Sequence, residues 1–296
     1  MKTIKIIFLV FLIICLFLVP NSLIAQDIDK AFKYFDNEQY EKAAIEFENV
    51  LPAIIKEYGQ NDTTIYTELL IYTALCYERA LNSNKAENYY LKCKYIYENL
   101  GDTLNSLYAL SLNNLASLYI SLNNFEKAEP LYIQAMNIYK GSFDEKHPDY
   151  ATSLNNLADL YNNMGNYEKV EPLLIEAMNI RKKILGKKHP DYAVSLNNLV
   201  GLYMGMGNYK KAERLFIKAT SIRKEALGEK HPDYALSLNN LAVLYRTIGD
   251  YEKAKPLYIK VMNIRKEVLG EKHPSYALSL NNLASLYHDM GNYEKA

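Results

Sequence analysis

Between His147 and Lys188 the apolar residues fall on two helical periods separated by a turn. Leu154, Leu157, Ala158 and Tyr161 recur at i, i+3, i+4 and i+7, which is one face of a helix. Pro148 stands where a first helical residue tolerates a missing N–H, so a helix A is predicted from Pro148 to about Asn163. Gly165 supplies the turn, and Asn166 caps a second helix. Helix B is predicted from Tyr167 to Leu185, with Val170, Leu173, Leu174, Ala177 and Ile180 facing inward and Gly186 stopping it. The stretch is a helical hairpin.

The same pattern returns at 189–230 and 231–272, a period of 42 residues, with His147, His189, His231 and His273 opening successive copies. A copy at 105–146 begins with Asn105 in place of the His-Pro pair. A more divergent one at 63–104 keeps its register through Tyr66, Ala74, Tyr77, Ala86 and Tyr97. Residues 27–62 add a weaker first unit with Ala31, Tyr34 and the run Tyr40 to Ala43. Units repeating at this spacing bury their apolar faces by stacking on one another. The expected architecture is therefore all-α, a solenoid of antiparallel helix pairs forming one elongated domain.

Small Ala158, Tyr161, Gly165, Tyr167 and Val170 fall at the signature spacings of the tetratricopeptide repeat, which the chain resembles from about 63 to 296. Ala128, Ala212 and Ala254 take the place of Val170 in other copies. SLNNLA on helix A, AEPL on helix B and LGxxHPxxA between units are similar to the longer, kinesin-light-chain type. The resemblance implies a right-handed superhelix whose concave groove, lined by one stripe of helix A, receives protein segments. Bacterial arrays of this kind often precede a caspase-like CHAT peptidase domain, and others a membrane signalling kinase. Pro130, Pro172 and Pro256, early in helix B, are expected to set curvature.

By position, the groove stripe reads Leu110, Asn113, Ser117 and Ile120, then Thr152, Asn155, Asp159 and Asn162. It continues as Val194, Asn197, Gly201 and Met204, then Leu236, Asn239, Val243 and Arg246, then Leu278, Asn281, Ser285 and His288. The first Asn never changes, although Asn in mid-helix costs up to about 0.7 kcal/mol relative to Ala. A carboxamide column at helix spacing, about 8 to 10 Å, would meet roughly every third residue of an extended peptide. Asn113, Asn155, Asn197, Asn239 and Asn281 are thus the leading peptide-binding candidates, with Asn162, Arg246 and apolar Leu236 beside them. The competing reading makes the Asn pair a ladder, in which Asn114, Asn156, Asn198, Asn240 and Asn282 bridge adjacent helices. Arg246 is the only cation of that stripe, which disfavours a carboxylate clamp. The repeated Ser111, Ser153, Ser195, Ser237 and Ser279 read as packing residues, and Arg181, Arg223 and Arg265 as partners of helix B's negative end.

Residues 1–25 differ from the rest. Lys2 and Lys5 precede an apolar run from Ile6 to Val19, then Pro20 and a cleavage site at Ala25/Gln26, the form of a secretory signal peptide. The run is short for a membrane span, and bulky Ile14 before Cys15 argues against lipidation. An extracytoplasmic location follows, with membrane contact only through an uncleaved leader. Losing the leader leaves a formal charge of −2, which points to neither nucleic acid nor anionic lipid. Cys76 and Cys93 sit at unequal distances from their turn and are expected to be buried and unpaired.

One His per repeat is too widely spaced to share a metal and reads as a helix-start residue. No Gly-rich phosphate loop, HExxH run or GxSxG elbow occurs, so neither catalysis nor a cofactor is expected. The expected partner is a protein or peptide. The alternative is the sensory or substrate-recruiting region of a larger enzyme, and a third reading is a spacer that self-assembles. The sequence ends a few residues into a helix B, as expected of part of a longer protein.

Overall fold

The computed structural model describes residues 23–58, 63–142 and 147–296. The leader read at 1–25, with Cys15, lies outside them except for Leu23 to Ala25, which belong to the first helix. The described residues form thirteen helices and no strand. The chain divides into two compact units, Met1–Ser142 and Phe143–Ala296. The first holds α1 (Leu23–Asp36), α2 (Tyr40–Tyr58), α3 (Thr63–Arg79), α4 (Ser83–Leu100), α5 (Ser106–Ser121) and α6 (Phe125–Ser142). The second holds α7 (Pro148–Asn163), α8 (Tyr167–Leu185), α9 (Pro190–Gly205), α10 (Tyr209–Leu227), α11 (Pro232–Thr247), α12 (Tyr251–Leu269) and α13 (Pro274–Asp289). Within each unit every helix packs on the next in chain order, and α3 also touches α5.

The boundary between the two units falls where the repeat pattern lapses. Gly141 enters the last turn of helix B, and no Gly stands at the exit where Gly186, Gly228 and Gly270 end the later copies. Helix propensity is lowered and the stop signal is missing.

Helix bounds follow local chemistry. Pro occupies the first turn of α7, α9, α11 and α13, and the preceding His accepts a backbone N–H through Nδ1, at 3.3 Å for His147 and 3.1 Å for His189, His231 and His273. Asn105 does the same with its Oδ1, from Leu107 N–H at 2.9 Å. His231→Ala is accordingly expected to lower stability by about 1 kcal/mol in urea unfolding, and His231→Asn to restore most of it. An Asn variant as unstable as the Ala one would disprove the capping role.

At the start of helix B the expected cap is made by Asn82, Asn124, Asn208 and Asp250, each accepting a backbone N–H at 3.2 to 3.3 Å. Asn166 holds that position without a side-chain capping bond. Gly165 takes φ +71° in the turn, and in earlier copies Asn123 (φ 56°) and Leu81 (φ 61°) adopt the same left-handed conformation. Pro130, Pro172 and Pro256 stand inside helices that continue past them.

The core is a row of small clusters. Ala116, Ala158 and Ala242 on helix A and Ala128, Ala212 and Ala254 on helix B are fully buried, so the hairpin partners approach closely. One cluster joins Tyr192, Ala193 and Leu196 of α9 to Ala219 and Ile222 of α10; the next repeats it with Tyr234, Ala235, Leu238, Val261 and Ile264. Cys76 and Cys93 are buried free thiols, each pushed up to about 12 by burial.

Candidate peptide-binding face

The helix A stripe is accessible at its edges and closed along its middle. Thr152, Asp159 and Asn162 of α7 are exposed, as are Val194 and Gly201 of α9, Leu236 and Val243 of α11, and Leu278 and Asn281 of α13. In the first unit Ser117 of α5 is exposed, while Leu110 and Ile120 are half-buried. The first-Asn column lies beneath: Asn113, Asn155 and Asn239 are buried and Asn197 is half-buried.

Burial gives these amides partners inside the fold. Asn155 Nδ2 donates to Ala151 O at 2.9 Å, and its Oδ1 accepts from Asn198 Nδ2 at 3.1 Å. Asn282 Nδ2 donates to Asn239 Oδ1 at 2.8 Å in the same way. The second Asn of one repeat thus reaches back to the first Asn of the repeat before it. Asn197 Oδ1 is buried and without a partner among the described residues. An amide bonded across two helices is a floor that holds the row in register. After its two bonds the Asn155 carboxamide retains one N–H and one lone pair.

Of the remaining candidates, Asn162 and Leu236 are open to solvent. Arg246 is tied down. Its Nε donates to Asp289 Oδ2 of α13 at 2.5 Å, a bond that raises the guanidinium's pKa and lowers that of the Asp289 carboxyl. Asp159 is exposed, and partial desolvation by the neighbouring protein raises its pKa.

Two networks between repeats escaped the sequence reading. Arg181, Arg223 and Arg265 reach into the next helix A and donate to Ser195, Ser237 and Ser279 at 3.2, 2.7 and 2.9 Å. Burial lowers all three guanidinium pKa values, opposed by Asp191 beside Arg181 and by Asp233 beside Arg223. The serines are therefore anchors for a cation as well as packing residues. Second, Tyr119, Tyr203 and Tyr245 donate to Glu87, Glu171 and Glu213 of the preceding helix B at 2.6, 2.5 and 2.8 Å. Lys127, Lys211 and Lys253 pair with the same acids and lie over the same rings. Lys255 stands where the Glu would be in the last copy and lies 5.6 Å from the Tyr287 ring centroid. Both networks were traceable as fixed offsets, Arg to Ser at 14 residues and Tyr to Glu at 32.

A cleft of about 320 Å³ opens between repeats at Thr152, Arg181, Ile184 and Val194. Thr152 is smaller than Leu110, Val194, Leu236 and Leu278 at the same position, and Arg181 Nη2 lies 3.4 Å from its hydroxyl. Among the described residues no helix is long and apolar enough to cross a membrane, and no three His, Cys, Asp or Glu side chains are grouped to hold a metal.

Helix pairs repeated in a row, braced by side chains from one repeat to the next and open along one stripe of helix A, define an α-solenoid scaffold. The model of the tetratricopeptide repeat matches at 67–141, 107–183, 149–203, 191–266 and 248–296, and the chain belongs to that family. Comparison with curated protein sequences returned no match. Among solved structures it is similar to the nearly identical TPR-like repeats of a kinesin light chain candidate from Podosopora anserina (26% identity, TM-score 0.57, covering 64% of this chain and 90% of that one). It is also similar in fold to BtubC (BKLC) of P. vanneervenii (22%, 0.62, covering 86% and 95%). A Rap protein complexed with Competence and Sporulation Factor shares the fold as well (14%, 0.50, covering 92% and 94%).

Proposed function

We propose that the chain is a non-catalytic scaffold that binds an extended protein segment along the helix A stripe. Tetratricopeptide arrays bind protein or peptide partners, and a relative in fold was solved with its factor bound. The observation that carries the reading is the exposure of Val194, Leu236 and Val243 at 39, 43 and 40% above a buried, hydrogen-bonded Asn floor. Exposed apolar groups on a polar floor suit a ligand that contributes apolar side chains and leaves its backbone to water and the remaining amide valences. With the leader read at 1–25, this work is done outside the cytoplasm.

The test is capture of an immobilised library of N-acetylated, C-amidated decapeptides by the full chain. The Leu236→Asp/Val243→Asp double variant is expected to lose about tenfold in capture with unchanged helicity. Ile217→Asp, on the exposed side of α10, serves as the control and is expected to bind normally. Equal capture by the double variant would remove the groove assignment.

A further inference from the structure

The stripe position held elsewhere by Leu110, Thr152, Val194, Leu236 and Leu278 is held in α3 by an acid, Glu68. That position faces outward in the later copies, where Val194, Leu236 and Leu278 are 39, 43 and 51% exposed. Glu68 is half-buried, and its Oε2 is buried without a hydrogen-bond partner among the described residues. The fold does not require a carboxyl group there, since leucine serves in three of the other copies.

Desolvation by burial raises the pKa of its carboxyl, and among the described residues no Lys, Arg or His contributes to that shift. The groups that feel its charge are phenols, Tyr72 on α3 and Tyr97 on α4. Tyr97 is engaged by Thr67 Oγ1 at 2.9 Å and stacks on Tyr108 of α5 at 5.5 Å, while Phe32 of α1 and Phe47 of α2 pack on Tyr72. An ionised carboxylate in such surroundings is costly unless a cation joins it.

We propose that Glu68 is a recognition point for a cationic group, a Lys or Arg side chain or an N-terminal amine, of a protein segment docked on the helix A stripe of the first unit. The proposal rests on the groove reading above and names the chemistry of the partner at α3. Burial holds the carboxyl's pKa up to about 7, so a cation docking at neutral pH displaces the proton to solvent. Binding is then tighter at pH 8 than at pH 6.

The full chain is exposed to N-acetylated, C-amidated decapeptides carrying one Lys or one Arg, to matched peptides with norleucine in that place, and to norleucine peptides with a free N-terminus. At pH 8 the wild-type chain is expected to retain one cationic class about tenfold over the blocked norleucine set, with the preference shrinking at pH 6. The class retained identifies the source of the cation. Glu68→Leu, the residue native to other copies, and Glu68→Gln are both expected to abolish the preference while still capturing peptide. Capture without cation preference, or a preference that survives both substitutions, overturns this inference and leaves the groove reading standing. No capture of any set by the wild-type chain removes both.

Discussion

Arg223→Ala is expected to lower the unfolding free energy of the array by about 3 kcal/mol, and Arg223→Met by about 1 kcal/mol or less. Arg223 is only 8% exposed, and its Nη1 meets the buried Ser237 hydroxyl at 2.7 Å across the junction of α10 and α11. Ser237 in turn donates to Asp233 O at 3.0 Å, so one guanidinium joins a helix B end to a helix A start. Truncation to Ala removes the hydrogen bond and opens a void where the aliphatic stem packed. Methionine refills most of that volume without a charge to desolvate, hence the smaller loss. Repeats communicate only with their neighbours, so the Ala variant should also split one unfolding transition into two. Urea unfolding followed by circular dichroism, with hydrogen exchange to locate the split, provides the measurement. An unchanged midpoint for Arg223→Ala would show that the junction holds through its apolar cluster alone.

The second large effect depends on pH. Glu68→Leu is expected to stabilise the chain by about 2 kcal/mol at pH 8 and by under about 0.5 kcal/mol at pH 5. Burial raises the folded carboxyl from 4.5 to about 7, so between those values the folded state holds more protons than the unfolded one. Stability of the wild-type chain therefore declines as pH rises across that window and levels off above it. The Leu variant lacks this decline. The full shift would correspond to more than about 3 kcal/mol, and partial exposure of the side chain reduces it. Thermal unfolding of both proteins from pH 5 to pH 8 tests the claim, and parallel curves would show that Glu68 titrates like a solvated acid.

Much of the fold was legible because its determinants are local and repeated. Pro148, Gly165 and Gly186 punctuate a 3.6-residue apolar period, and the helices they predicted, Pro148–Asn163 and Tyr167–Leu185, are those observed. The stripe positions were legible too, since a wheel of 100° per residue sorts them from the core face. Leu236 and Asn162 lie exposed on the stripe to which they were assigned.

Availability of each side chain was not legible. Asn155 and Asn162 share a stripe, yet Asn155 is buried against Asn198 of the next repeat and Asn162 is open. Arg246 stood out as a lone cation until Asp289, 43 residues away, proved to hold it. Glu68 was not singled out by the sequence, and its raised pKa arises from the desolvation it shares with Tyr72 and Tyr97. Helix limits, period and facing stripes depend on neighbours within a few residues and were written in the chain itself. Which polar groups are bonded, stranded or free depends on helices one repeat away, and only their packing decides it, because hydrogen bonding and desolvation act between surfaces that the sequence does not align.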